Sequence, residues 1–216
     1  MKKIKLEDFS IYSKYINYTL YPLIIIFIAL AAFYGYRTYI NKKAEQEFNS
    51  ALTLLMKNIN KSPKNKELKK ALNMFEHIVN NYSLSKYSNL SMPFLGYLYF
   101  LEGNYDKSIK FYSKFKNKIH TYSSMEYIAL SNLAISSCYE QKKDLNKAIK
   151  ILNKFCEEHP ESPFREFALL SLERLYRLNN NYDKEKKTIK EFIRDYPNSP
   201  FFYMVKSHLL SYNNKK

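Results

Sequence analysis

Glycine is nearly absent from this chain: its 216 residues hold three, Gly35, Gly96 and Gly103. Phosphate-cradling loops need clustered glycines and turn-dense β architectures need many, so the scarcity argues against both. A mostly helical chain needs few. Arginine is scarce too, with Arg37, Arg165, Arg174, Arg177 and Arg194 alone among 35 basic residues. Only two cysteines occur, Cys138 and Cys156, with no C-x-x-C and no zinc-like Cys/His spacing. They fall on neighbouring predicted helices about two turns apart in height. That is on the order of 10 Å, too far for a disulfide, so buried free thiols are expected.

Catalytic signatures are also lacking. No G-x-S-x-G, Walker or H-E-x-x-H pattern exists. His77, His120, His159 and His208 lie far apart, and each reads as a surface or capping residue. Glu157 and Glu158 point in different directions on one helix and read as a solvated face. No nucleophile, base and orienter come together. The chain reads as a non-enzyme with no cofactor and no metal.

What is present is charge and apolar length. The net charge is +15, from 35 basic and 20 acidic residues. Such a balance suits anionic lipid or nucleic acid. Phosphate readers lean on the arginine fork, however, and the basic residues here are mostly lysines scattered along the chain. Lysine, asparagine, tyrosine and isoleucine are all abundant, as an AT-rich coding sequence produces. Composition therefore explains most of the charge, and no specific nucleic acid is expected. A generic attraction to anionic headgroups is retained as an alternative.

Between Lys14 and Arg37 lie 22 uncharged residues. As a helix they span about 33 Å, matching a hydrocarbon core of roughly 30 Å. Tyr15, Tyr18 and Tyr21 flank one end and Tyr34, Tyr36 and Tyr39 the other, as interfacial belts do. Pro22 sits near the start of the apolar run, where a missing N–H costs least. Ala29-Leu30-Ala31 resembles a signal-peptidase site. The apolar run continues to Tyr36 behind a long polar lead, which favours an uncleaved anchor. No cysteine lies near enough for a lipoprotein anchor. Lys2, Lys3, Lys5 and Lys14 on one flank, against Arg37, Lys42 and Lys43 on the other, give a slight bias for the N-terminus inside.

The rest of the chain repeats itself. His159-Pro160-Glu161-Ser162-Pro163-Phe164 returns as Tyr196-Pro197-Asn198-Ser199-Pro200-Phe201. Gly103-Asn104-Tyr105-Asp106-Lys107 matches Lys143-Asp144-Leu145-Asn146-Lys147, and more weakly Asn180-Asn181-Tyr182-Asp183-Lys184. In each unit a first helix ends in an aromatic and a polar turn. An Asp or Asn then opens a second helix, where it caps free N–H groups. Apolar residues follow at helical spacing: Ile109, Tyr112 and Phe115; Ile149, Leu152 and Phe155; Ile189, Phe192 and Ile193. Proline stops the last two.

These residues resemble the tetratricopeptide repeat. One unit has Leu95-Gly96, Tyr99, Gly103, Tyr105, Ser108, Tyr112 and Phe115. The next has Ile135-Ser136, Tyr139, Ala148, Leu152, Phe155 and Pro160. The third has Leu172, Tyr176, Ile189, Phe192 and Pro197. It places Glu173 and Glu185 where small residues are usual, so its tight crossing is not expected to hold. The resemblance covers about 170 residues. It implies an all-α fold: an N-terminal transmembrane helix followed by a TPR-like α-solenoid of about four hairpins with a C-terminal capping helix. The expected organisation is a cytoplasmic tail (1–14), a transmembrane helix (15–37), a repeat domain (38–212) and a polar tail (213–216). The repeat units fall at about 44–82, 89–119, 129–160 and 166–197, with the cap at 201–212.

A narrower resemblance rests on Tyr34-Gly35-Tyr36-Arg37 leading into Ala44-Glu45, Phe48, Ala51 and Leu52. A membrane helix flowing into such repeats is similar to the ancillary subunits of the bacterial SecYEG translocon. It implies a single-pass inner-membrane protein with periplasmic repeats, and a Sec translocon or periplasmic chaperone as partner. The alternative is a structural part of an envelope assembly, for barrel insertion or cell-wall machinery. Self-association is left open.

A solenoid of this kind presents a concave face built from first helices. By repeat position that face holds Tyr97, Phe100 and Leu101, then Ser137, Glu140 and Gln141, then Arg174, Arg177 and Leu178. Pro93 and Leu133 occupy two positions that a carboxylate clamp would need. An extended or unfolded segment is the better guest.

Overall fold

A helix with one apolar stripe must bury it, and a two-helix hairpin buries only its inner stripes. Stacking hairpins solves this by giving each a neighbour on both sides. The computed structural model describes residues 6–62, 65–118 and 125–213, so His120 lies outside the described residues. Within them are nine helices and no strand. They are α1 (Leu6–Asn58), α2 (Lys66–Asn81), α3 (Lys86–Leu101), α4 (Tyr105–Lys118), α5 (Met125–Gln141), α6 (Leu145–Glu158), α7 (Arg165–Leu178), α8 (Tyr182–Asp195) and α9 (Phe202–Asn213). Each helix packs on the next in chain order, as a TPR-like solenoid requires.

The second helices are strongly amphipathic. In α6 the buried residues are Ala148, Ile149, Leu152 and Phe155; in α8 they are Glu185, Thr188, Ile189 and Phe192. The helices stop for local reasons. After α6 and α8 come Pro160 and Pro197, which supply no N–H and disfavour helix in the residue before them.

The turns inside three hairpins share one geometry. Gly103, Lys143 and Asn180 all adopt positive φ, at 76°, 63° and 55°. The following residue donates its N–H back to the carbonyl of Tyr99, Tyr139 or Tyr176, closing the same left-handed cap each time. Asn104, Asp144 and Asn181 then accept from the N–H of Lys107, Lys147 and Lys184. A lysine in this conformation carries a Cβ penalty that glycine avoids. Lys143→Gly is therefore expected to raise stability by about 0.5–1 kcal/mol, read from the urea midpoint. A loss would show that the unfolded-state entropy of glycine outweighs the relieved strain.

Two apolar cores form. The first gathers Phe48 and Leu55 of α1, Phe75 and Ile78 of α2, and Leu95, Leu98 and Tyr99 of α3. Phe75 stacks on Phe94 at 5.2 Å between ring centres, and Phe48 meets Phe75 edge-on at 5.7 Å. The second core runs from Ala129 to Val205 and centres on Leu152, Phe155, Leu172, Leu175, Ile189 and Phe192. Between them, the junction of α4 and α5 mixes aromatic and polar contacts, with buried Phe115 meeting Tyr127 edge-on at 5.6 Å. Lys116 donates to Asn132 at 2.9 Å, and the Cys138 thiol donates to the buried Ser108 hydroxyl at 3.1 Å.

Both cysteines are free. Cys138 is buried, as expected, but Cys156 is only half-buried, packed against the edge of the second core. Burial still pushes its thiol up to about 11.

The N-terminal helix departs from the sequence reading in one respect. Pro22 lies inside it, well past its start at Leu6. No glycine or proline stands between Leu6 and Pro22, so nothing stops the helix from extending upstream. Downstream, every residue from Tyr18 to Tyr39 is exposed, and burial begins at Ile40. One unbroken helix thus changes from a bare apolar rod into the first wall of the solenoid.

Candidate functional site

The first helices carry the concave face, and the structure distributes its expected residues unevenly. Tyr97 is half-buried against the first core. Phe100 is half-buried and meets Tyr105 edge-on at 5.5 Å. Leu101 is also half-buried, and Gln141 is exposed. Ser137 spends its hydroxyl on the Leu133 carbonyl of its own helix at 3.0 Å. Glu140 and Arg174, from successive repeats, grip each other through a two-pronged contact, one arm at 2.8 Å. That fork engages both groups inside the protein. Leu178 is exposed beside Arg177.

The same repeat register places one large apolar side chain on each first helix five residues before its central leucine or isoleucine. These are Leu90, Leu130 and Phe167, which are 40%, 50% and 43% exposed. Tyr127 lies in the first turn of α5 and is also exposed. Three equivalent apolar side chains, left bare where burial was available to their neighbours, form a repeated apolar ladder. Sequence reasoning placed Pro93 and Leu133 on this face without reaching the ladder. Counting back from Leu95, Ile135 and Leu172 would have found it.

Arg177 has a different role. Its Nη1 lies 3.0 Å from Glu173 Oε1 and 3.8 Å from Glu185 Oε1. Both carboxylates are buried at the crossing of α7 and α8. Their counterparts there are Gly96 and Ser108, then Ser136 and Ala148. In those hairpins a serine hydroxyl reaches the facing helix: Ser108 donates to the Gly96 carbonyl at 2.7 Å, and Ser136 to the Ala148 carbonyl at 3.2 Å. The third crossing instead carries ion pairs. His208 of the cap contributes, its Nδ1 standing 3.0 Å from Glu173 Oε1. His208 is therefore a half-buried hydrogen-bonding partner of the buried Glu173 and not the isolated surface or capping residue expected of it. Burial raises the Glu173 carboxyl above the ordinary range, against the lowering pull of Arg177 and His208. His77 is more ordinary, pairing with Glu47 at 2.9 Å while half exposed.

A polar cleft of about 330 Å³ opens beside α6 and α8, lined by Cys156, Glu157, Tyr176, Lys184, Lys187 and Glu191 among others. Its two lysines face two glutamates, so its charge selects neither anions nor cations. Among the described residues, no three metal-ligating side chains come together.

These features define a helical-repeat protein of the TPR-like class. Tetratricopeptide-repeat family models match residues 94–115, 131–162 and 171–199. Among solved structures, a Podosopora anserina protein described as a kinesin light chain with nearly identical TPR-like repeats superposes with a TM-score of 0.57. The match has 12% identity and covers 78% of this chain and 84% of that one. A single-substitution form of that protein gives the same values. At this identity the likeness establishes the fold. Comparison with curated proteins finds no match. Repeats of this class serve protein–protein interaction, typically without catalysis. One helix, near the N-terminus, is also long and apolar enough to cross a membrane.

Proposed function

We propose that this chain is a membrane-anchored interaction scaffold whose repeats hold a protein partner against their concave face. The observation that carries the reading is the bare rod Tyr18–Tyr39, continuous with the first repeat. Leaving Ile24, Ile25, Phe27, Ile28 and Leu30 in water would waste most of their burial energy, about 1.5–3 kcal/mol for each side chain. A bilayer removes that cost, and 22 residues match its thickness. The ladder of Leu90, Leu130 and Phe167 supplies the apolar contacts for an extended partner segment.

Following the family resemblance, the N-terminus lies in the cytoplasm of a bacterium and the repeats on the outer face of the inner membrane. There the partner is a Sec translocon component or a periplasmic chaperone. Protease added to intact spheroplasts is expected to digest the repeat domain. Detergent extracts are expected to yield a Sec or chaperone component with the wild type. That component is expected to be lost, by about tenfold or more, with Leu130→Asp combined with Phe167→Asp. Protection of the repeats in spheroplasts would overturn the topology, and unchanged capture by the double variant would overturn the groove.

A further inference from the structure

The lysines that look scattered in sequence are aligned by the fold. In α4 they stand at Lys107, Lys110 and Lys114; in α6 at Lys147, Lys150 and Lys154; in α8 at Lys184 and Lys187. Steps of three and four residues put each set on one helix face. All eight are exposed, and the sets occupy equivalent positions on successive second helices. Against them, the acid at an equivalent position is Glu191, which is tied to Arg165. Two of the eight are partly neutralised, Lys147 by Asp144 at 2.8 Å and Lys154 by Glu158 at 3.6 Å. Lys107, Lys110, Lys114, Lys150, Lys184 and Lys187 make no ion pair among the described residues. We propose that these rows form a docking track for an extended acidic segment of a partner protein.

Three observations select that occupant. First, no arginine stands in the rows, so the bidentate fork that suits phosphate is missing. Second, the aromatic rings nearest the rows are covered. Lys107, Lys147 and Lys184 sit over Tyr99, Tyr139 and Tyr176 at 4.6, 5.4 and 5.8 Å, so a nucleobase stacking on any of these rings would have to displace the lysine. Third, the rows begin in the first turns of α4, α6 and α8. Because α1 runs outward from the bare rod and alternate helices run back, those first turns lie at the end of the solenoid remote from the rod. A bilayer around the rod would lie at the opposite end from Lys107, Lys147 and Lys184, the first lysines of each row.

A polypeptide fits the spacing. Successive second helices are separated by a first helix, so the rows stand about 10–20 Å apart. An extended chain advances roughly 3.3–3.6 Å per residue, so about 6–12 residues reach across all three. Carboxylates on such a segment would meet lysines that stand outside ion-pair distance of any carboxylate among the described residues, although Glu157 and Glu191 share a cleft with Lys184 and Lys187. This track is a second surface, separate from the apolar ladder, and its test does not depend on the concave-face reading.

The probe is a fluorescent glutamate-rich peptide of about 14 residues. It is titrated with the full chain in nanodiscs of uncharged net lipid. Raising the salt from about 0.01 M to about 0.15 M shortens screening from ~30 Å to ~8 Å and is expected to weaken binding by about tenfold or more. Charge reversal by Lys110→Glu, Lys150→Glu and Lys187→Glu together is expected to weaken it by a similar factor or more. Lys42→Glu, Lys43→Glu and Lys61→Glu make the same change in net charge away from the rows, and are expected to leave most of the affinity. Circular dichroism confirms that both triple variants fold. Leu130→Asp with Phe167→Asp should leave peptide binding unchanged, which separates this track from the groove. Equal loss in the two triple variants would overturn the proposal. So would the absence of binding at low salt, or tighter row-dependent binding to an oligothymidylate or to phosphatidylserine vesicles.

Discussion

Arg177→Ala is expected to destabilise the C-terminal hairpin by about 2–4 kcal/mol. The variant leaves Glu173 and Glu185 buried at the α7–α8 crossing without the guanidinium that stands against both. Breaking a buried pair typically costs ~3–5 kcal/mol. The figure is discounted because the arginine side chain is 41% exposed and water already screens it. The loss should also depend on pH in a defined sense. Glu173 is held above the ordinary carboxyl value by burial. A group raised in the folded state contributes stability that is present below its unfolded value, about 4.3, and lost as pH rises through the folded value. Removing Arg177 removes a lowering influence, so the window widens upward. The deficit of Arg177→Ala should shrink on acidification from neutral pH towards about pH 4. Adding Glu173→Gln should recover much of it at neutral pH. Asp195 runs the other way, because its hydrogen bonds to Arg194 hold it low. Its contribution disappears only below the ordinary aspartate range, outside this window. A deficit that stays constant with pH, measured by urea denaturation, would show that lost packing and not uncompensated charge is the cause.

The second large effect is expected from Phe155→Ala. Phe155 is 1% exposed at the centre of the second core, and truncations of this kind cost about 3–5 kcal/mol. What distinguishes a solenoid is where the cost appears. The two cores are separated by the α4–α5 junction, where the Lys116–Asn132 and Cys138–Ser108 hydrogen bonds interrupt the apolar packing beside Phe115 and Tyr127. Repeats couple chiefly to their neighbours, so a weak junction lets one half open without the other. Hydrogen exchange should show protection falling across α5–α9 while α1–α3 keep theirs. Uniform loss in all helices would mean that the junction transmits cooperativity in full.

Much of this was legible in the sequence, because it is written in short-range chemistry. Asn104, Asp144 and Asn181 announce the second helices, and Pro160 and Pro197 announce their ends. Leu152, Phe155, Ile189 and Phe192 announce the buried stripe. The remainder depends on what comes close in three dimensions. Glu173 and Glu185 break the small-residue rule of the crossing, and Arg177 is four residues from one of them. Reading Arg177 as a concave-face residue missed that it serves the interior. His208 looked like an isolated surface histidine because its partner stands 35 residues away. The lysines looked diffuse because alignment by fold, and not adjacency in sequence, gathers them. Pro22 marks the start of the apolar run but not of the helix, which begins upstream at Leu6 in a segment with no periodicity to advertise it.

The unbroken passage of α1 from bare rod to first repeat has a geometric consequence of its own. A helix turns about 100° per residue, so its two ends are locked in phase. One residue added between Tyr36 and Ile40 would swing the whole solenoid by about 100° around the rod. Seven would return it to within about 20° of where it began. The short stretch around Thr38 and Tyr39 therefore acts as a bearing. Its length, rather than any contact it makes, decides which way the apolar ladder and the lysine rows look out.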